Sequence, residues 1–326
     1  MYKKLTGVAA QATSIARFAT DVQYYLALQP RQLPSRYLYD DLGSALFEAI
    51  CQLPWYRITR AELRLLTAHG RRILEHVPHL STLVELGPGS GEKLIALVEA
   101  GRADGSRLDL HLIDVSPAAL TVAARALATL EGVHIVTHEA HYEAGLAEVA
   151  AERLPAGHTL TLFLGSNVGN FDRPGAHAFL HGIRATLRRG DALLLGADLV
   201  KPERELLFAY DDPLGVTAAF NRNLLVRINR ELAGNFEVEQ FAHRAVWNGA
   251  ESRVEMHLVS LRDQQVRVVA ADLEFTMAAG ESIWTESSYK YDPAEVVDAL
   301  THAGFRLVNQ WIDGADGFAL TLVEAQ

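Results

Sequence analysis

Thr82-Leu-Val-Glu-Leu-Gly-Pro-Gly-Ser-Gly-Glu-Lys93 is the stretch on which the fold turns. Leu83, Val84 and Leu86 read as a buried strand, and glycines follow at alternate positions, Gly87, Gly89 and Gly91. A helix pattern opens at once with Glu92-Lys-Leu-Ile-Ala-Leu-Val98. Glycines between a strand and a helix permit positive φ and let a ligand lie against bare backbone. The helix N-terminus beyond them offers N–H donors. The dinucleotide fingerprint G-x-G-x-x-G would need its third glycine at position 92, where Glu92 stands. The pattern is instead acid-x-G-x-G-x-G, beginning at Glu85.

That pattern resembles motif I of the class I S-adenosylmethionine (SAM) methyltransferases, and the resemblance implies SAM as cofactor. Downstream, Leu108-Asp-Leu-His-Leu-Ile113 is a second strand pattern with Asp114 at its end. An acid there reaches ribose hydroxyls in doubly wound sheets, because a carboxylate accepts two hydrogen bonds from a vicinal diol. Its plainer alternative is a capping residue beside Ser116-Pro117, which starts a helix with serine as N-cap. A nicotinamide dehydrogenase shares this acid and is the runner-up fold reading. The glycine spacing, not Asp114, separates the two.

Residues 62–199 alternate helix and strand. Ala61–Val77 is helical and stops at Pro78; the strands are Thr82–Leu86, Leu108–Ile113, Val133–Thr137, Thr159–Leu164 and Ala192–Leu195. Helical patterns lie over Ala118–Leu130 and Pro174–Arg188, the latter closed by the Arg188-Arg-Gly190-Asp turn. This rhythm predicts an α/β fold, a Rossmann-like parallel sheet binding its ligand at the strands' carboxyl ends. Residues 200–326 differ. Ala242–Trp247, Arg253–Leu261, Val266–Leu273 and Phe318–Val323 are strand-like, with helical patterns at Leu214–Arg230 and Pro293–Ala303. They predict a second, α+β substrate-binding domain, although Phe305–Trp311 and Phe318–Val323 also resemble the hairpin that closes many class I methyltransferase sheets.

Composition fits a cytoplasmic enzyme acting on a small molecule. A chain of 326 residues can bury a substantial core. No apolar run is long enough to span a bilayer, and Met1-Tyr-Lys-Lys-Leu5 lacks a signal peptide's apolar core. The net charge of −10 works against nucleic acid as a partner. The expected state is a monomer. Cys51, the single cysteine, lies in the apolar run Leu46–Cys51 and reads as buried packing. His134, His138, His141 and His158 lack the pattern of a zinc site, so no metal is expected.

Further blocks share one resemblance. They are Tyr39-Asp-Asp-Leu-Gly-Ser-Ala-Leu-Phe47, Leu53-Pro-Trp-Tyr56 with Thr59-Arg-Ala-Glu62, and Phe163-Leu-Gly-Ser-Asn-Val-Gly-Asn170. Tyr210-Asp-Asp-Pro-Leu-Gly-Val-Thr217, Phe220-Asn-Arg-Asn223, Val254-Glu-Met256 and Thr285-Glu-Ser-Ser288 complete the set. Together they resemble the histidine Nα-methyltransferases of ergothioneine biosynthesis, across nearly the whole chain. The resemblance implies trimethylation of the α-amino nitrogen of L-histidine, giving hercynine. It implies that residues 1–61 and 200–326 together form the substrate-capping domain, with 62–199 binding SAM. Asn170 and Tyr210 would hold the substrate carboxylate. Tyr56, Glu286 and Ser288 would hold the imidazole, Tyr39 would stand near the amine, and Thr217 and Met256 would line the pocket. Glu85, Gly87, Gly89, Gly91, Lys93, Asp114, His141 and Tyr142 would bind the cofactor.

Each residue also has a plainer reading. Tyr56 could be a packed aromatic, Asn170 a left-handed turn residue beside Gly169, and Asp211-Asp212-Pro213 an exposed turn. Glu286 and Ser288 could alternate on a solvated strand face. Two departures from the family stand out. His141 occupies the position of an aspartate that contacts the adenine amino group, and Arg57-Ile58 replaces a tyrosine–proline pair after Tyr56. Two other functions fit more loosely: methylation of a different amino acid or amine, and a SAM-binding module without catalysis.

Overall fold

The computed structural model describes residues 2–101, 107–152 and 157–326. In chain order, helix α1 (Tyr2–Leu26) precedes a two-residue strand β1 (Arg31–Gln32) and helices α2 (Asp41–Gln52) and α3 (Ile58–Glu75). Next come β2 (Leu80–Leu86), α4 (Glu92–Gly101), β3 (Leu108–Asp114), α5 (Pro117–Leu127), β4 (Val133–Glu139) and α6 (Tyr142–Glu152). They are followed by β5 (His158–Phe163), α7 (Arg173–Thr186), β6 (Ala192–Asp198), α8 (Glu203–Tyr210) and α9 (Val216–Leu232). The chain continues through β7 (Phe241–Asn248), β8 (Arg253–Ser260), β9 (Gln264–Val268), β10 (Leu273–Met277) and β11 (Ser282–Tyr289). It finishes with α10 (Pro293–His302), β12 (Phe305–Asp313) and β13 (Phe318–Ala325).

These elements form two compact units. One comprises Cys51–Pro202, Ala250–Ser252 and Ser288–Gln326. Its seven-stranded sheet has the order β12-β13-β6-β5-β2-β3-β4. The five strands from β6 to β4 are parallel, and β13 runs antiparallel to both its neighbours. Strand order reverses between β2 and β5, and the Gly87 turn leaves β2 at that switch point, where open α/β sheets bind ligands. Phe163, Phe179, Leu180, Leu193, Leu195 and Val323 lie in its buried core. Burying each such side chain contributes about 1.5–3 kcal/mol.

The other unit comprises Met1–Ile50, Glu203–Gly249 and Arg253–Ser287. Its four-stranded sheet has the order β1-β11-β8-β7, with β9 and β10 paired separately. Helix α9 packs on β7 and β8, burying Phe220, Leu224, Leu225, Ile228 and Leu232 at helical spacing.

The units differ from the domains expected at 1–61, 62–199 and 200–326. Residues 288–326 belong with the parallel sheet because β13 hydrogen-bonds β6 along its length, covering an edge that would otherwise be bare. Residues 51–61 join it because α3 already begins at Ile58. The strand expected over Val266–Leu273 is two strands, parted by a turn at Val269–Ala271 and by Asp272 at φ +46°. Helices α1, α2 and α8 were not anticipated. Cys51 lies near the end of α2 and is half-buried, not sealed in a core.

The turn expected at 188–191 is held by Asp191. Its carboxylate, almost fully buried, accepts the N–H of Arg188 (2.6 Å) and of Thr159 (3.0 Å), tying the α7–β6 turn to β5. Asp191→Ala removes the carboxylate that accepts from both. Urea unfolding is expected to show a loss of about 2–4 kcal/mol, and an unchanged midpoint would deny Asp191 this role.

Candidate functional site

The glycine turn has the geometry its spacing implies. Gly87, Gly89 and Gly91 have φ of +73°, +52° and +81°, conformations that cost other residues strain. The N–H of Gly87 donates to the Ile113 carbonyl (2.9 Å), joining the turn to the end of β3. A Cβ on Gly87 would stand 2.8 Å from the Tyr142 hydroxyl, and one on Gly91 would press on the backbone of Ala123 in α5. The first glycine therefore keeps the turn bare, and the third lets two helices pack closely.

Asp114 ends β3. Its Oδ1 accepts the Ser116 N–H (2.8 Å), while Ser116 caps α5 through the Ala119 N–H (3.3 Å). The capping reading of Asp114 is thus part of the answer, and burial raises its pKa. Tyr142 opens α6, packed on Phe163 and Phe179. Burial, reinforced by Asp114 and Glu143, raises the pKa of its phenol. His141 is exposed immediately before α6.

Lys93 brings in a residue that sequence reasoning did not single out. Its Nζ lies 2.7 Å from Glu62 Oε2. Glu62, on the buried face of α3, also accepts the Gly165 N–H with both oxygens (3.0 and 2.8 Å). A methyl on Gly196 in β6 would come within 2.0 Å of Glu62 Oε1. Burial alone would lower the Lys93 pKa, but the adjacent Glu62 carboxylate outweighs it and raises the value. The signal for Glu62 was present: an acid in register with Ile58, Leu65 and Leu66 on the apolar stripe of the helix. Nearby Glu85 is buried, with no hydrogen-bond partner for Oε2 among the described residues. Burial, opposed by Lys93 and reinforced by Glu62, pushes its pKa up to about 8.

The same unit holds Tyr56, Asn170 and Ser288. Tyr56 is buried ahead of α3. Asn170 is exposed at the end of the Asn167–Asn170 turn. It is not the left-handed residue there; Gly165 (φ +74°) and Ser166 (φ +58°) are. Ser288 is buried, and its Oγ lies 3.0 Å from Lys290 Nζ.

The other unit carries Tyr39, Tyr210, Thr217, Met256 and Glu286. The Tyr39 ring meets Phe47 and Phe220 edge-on, each at 5.5 Å. Its neighbour Asp40 accepts the Gly43 N–H (2.8 Å), Asn223 Nδ2 (2.7 Å) and Arg230 Nη2 (2.6 Å). Burial would raise the Asp40 pKa, but these donors hold it below the usual carboxylate range. The Phe220–Asn223 block thus anchors the Tyr39 segment on α9.

Asp212 is not an exposed turn residue. It is buried and caps α9, accepting the N–H groups of Leu214 (3.0 Å), Val216 (3.2 Å) and Thr217 (2.7 Å). Thr217 is thereby fixed in the first turn. Tyr210 is buried at the end of α8, its carbonyl accepting His243 Nε2 (2.7 Å). Met256 in β8 is buried, and its carbonyl accepts Thr285 Oγ1 (3.0 Å). Thr285 (1% exposed), Glu286 (9%) and Ser288 (4%) exclude a solvated face at this end of β11.

A family model described as "Histidine-specific methyltransferase, SAM-dependent" matches residues 18–325. The chain belongs to that family. It is 41% identical to the histidine N-alpha-methyltransferase of Mycolicibacterium smegmatis and 42% identical to that of Mycobacterium tuberculosis, over 93% of each chain in both comparisons. It is 29% identical to ergothioneine biosynthesis protein 1 of Neurospora crassa, over 87% of this chain and 32% of that protein. Membership makes SAM its cofactor. Among the described residues no helix is long and apolar enough to cross a membrane.

The raised Glu85 pKa has a measurable sign. Between pH 4.5 and about 8 the unfolded chain ionises this carboxyl while the folded protein keeps it protonated, so stability falls across that window. Glu85→Gln removes the effect. Its melting temperature relative to wild type is expected to rise from pH 5 to pH 8.5 without ligand. A constant difference would mean that Glu85 is ionised in the fold throughout.

Proposed function

We propose that this chain transfers three methyl groups from SAM to the α-amino nitrogen of L-histidine, giving hercynine for ergothioneine biosynthesis. The observation that carries the proposal is Glu286. Its carboxylate, nine-tenths buried, can accept a charge-assisted hydrogen bond from an imidazole N–H.

The residues of the glycine turn suit SAM. Bare backbone at Gly87 and Gly89, the buried unpartnered Glu85 oxygen and the Asp114 carboxylate offer acceptors and space to a molecule carrying an ammonium and ribose hydroxyls. When bound, SAM supplies an electrophilic methyl group. Lys93, held by Glu62, steadies the turn at the start of α4, and Tyr142 walls it beside Gly87. Gly91 serves helix packing, and His141 stands where the family's aspartate reads adenine.

The protein's share of the chemistry is positioning and exclusion of water. Asn170 and Tyr210 donate to the substrate carboxylate, Tyr56, Glu286 and Ser288 hold the imidazole, and Thr217 and Met256 fill out the pocket. The α-ammonium gives up a proton before its lone pair attacks, and each methylated product but the last does so again. Tyr39 orients the amine, and its ring face suits a nitrogen that becomes permanently cationic. The residues named come from one chain, so a monomer suffices.

Mass spectrometry after incubation with SAM and the twenty amino acids tests the assignment. Histidine alone is expected to gain three methyl groups, and Glu286→Ala to cut histidine kcat/KM at least about tenfold while weakening discrimination against larger aromatics. Preference for another amino acid, or an unaffected variant, would overturn the assignment of substrate or residue.

Tyr39→Phe keeps the ring and removes the hydroxyl. A phenol of pKa about 10 is a poor base at neutral pH, so the variant is expected to stay active and shift the balance of mono-, di- and trimethylated products. Loss of all methylation in a folded variant that binds SAM would assign essential proton transfer to the hydroxyl.

A further inference from the structure

Two bare glycines leave neighbouring parallel strands at the switch point of the sheet. Gly87 follows β2 and Gly165 lies in the turn after β5, with φ of +73° and +74°. One side chain reaches both. A Cβ on Gly87 would stand 3.4 Å from Asn167 Nδ2, beside the Tyr142 hydroxyl. A Cβ on Gly165 would stand 3.8 Å from the same Nδ2 and 3.1 Å from Lys93 Nζ. The amide of Asn167 therefore lies where open α/β sheets bind their ligands.

The fold makes no other use of that amide. Asn167 is half-buried and opens the short turn Asn167–Asn170, yet its side chain makes no hydrogen bond among the described residues. Its placement is nevertheless enforced. The preceding residue, Ser166, has φ +58°, a left-handed conformation that is costly for serine. Ser166 is kept there because its Oγ accepts the Asp198 N–H (2.9 Å) and its carbonyl accepts the Gly169 N–H (2.8 Å). Strain of this kind persists where a site needs one geometry.

The surroundings decide which half of the amide is useful. Lys93 carries an ammonium with three N–H donors, and Glu62 meets its Nζ from one side. Lys93 is also in the first turn of α4, whose N–H groups have no partner inside the helix. The Tyr142 phenol adds a hydroxyl. A set of donors like this suits a carboxylate, and SAM has one, on its amino-acid arm.

We propose that Asn167 binds the cofactor, its amide N–H donating to the amino-acid carboxylate of SAM. The inference rests on the reading that SAM lies at the Gly87 turn. Calorimetric titration with two ligands tests it: S-adenosylhomocysteine, which carries the amino-acid arm, and 5′-methylthioadenosine, which lacks it. Asn167→Ala is expected to weaken S-adenosylhomocysteine about tenfold and to leave 5′-methylthioadenosine within about twofold of wild type. Asn167→Asp has the same shape but sets a negative charge against the carboxylate. It is expected to weaken S-adenosylhomocysteine more than Asn167→Ala does, again sparing 5′-methylthioadenosine.

Unchanged S-adenosylhomocysteine affinity in Asn167→Ala, or an equal loss for both ligands, would overturn the proposal and make Asn167 a structural residue only. Wild-type affinity in Asn167→Asp would overturn it as well, because the side chain would then be accepting from the ammonium. If Asn167→Ala does not fold, the contrast between the two ligands in Asn167→Asp decides; if neither variant folds, the proposal falls. Asp114→Ala tests the underlying reading separately. Wild-type S-adenosylhomocysteine affinity in that variant would place the cofactor away from this turn and remove both the reading and this inference.

Discussion

The buried carboxylate of Glu62 is the constraint around which the parallel sheet's ligand-binding end is arranged. One side chain from α3 ties down the ammonium of Lys93 and the N–H of Gly165 and fills the space that a side chain at Gly196 would need. Three places meet at it: the start of α4, the turn after β5 and Gly196 within β6. The arrangement works because both carboxylate oxygens meet donors; a lone carboxylate at this depth would take up a proton. Glu85, close by and without such partners, shows that alternative, its pKa pushed up to about 8.

The pair Asp198–Lys290, its charged atoms 2.8 Å apart, repeats the device one strand away. Both buried pairs lie near the carboxyl ends of parallel strands, and each holds a residue with a proposed role, Lys93 in one case and Ser288 in the other. Charges in such positions contribute little net stability, but they accept few geometries. Their value is directional, as with Asp40 and Asp212, each of which spends a buried carboxylate on several donors to hold a short segment in place.

Local rules carry the reading of the sequence a long way. The glycine turn, the five parallel strands and the Ser116-Pro117 helix start are visible because strand and helix periods and capping chemistry act over a few residues. What stayed hidden depends on partners far along the chain. Asp212 looked like a turn residue because nothing in Asp-Asp-Pro reveals that the N–H groups of Leu214 and of the first two residues of α9 converge on it. Asn170 was a candidate for the left-handed conformation that Ser166 adopts, since both residue types sit in a glycine-flanked turn. Lys290 drew no notice because its partner Asp198 is distant in sequence, and a lysine after a strand ordinarily faces water. Glu62 alone was legible and overlooked: an acid on an apolar helix stripe is a question in itself.

The position of β13 bears on how the protein is made. This strand lies between β12 and β6, although β6 is synthesised long before it. Until residues 318–325 leave the ribosome, β6 keeps one edge of backbone donors and acceptors open beside the apolar run Leu193-Leu-Leu195. A nascent chain in that condition invites pairing with its neighbours. Sealing the edge is thus a late event of long sequence separation, and chaperone demand during synthesis follows from strand order alone.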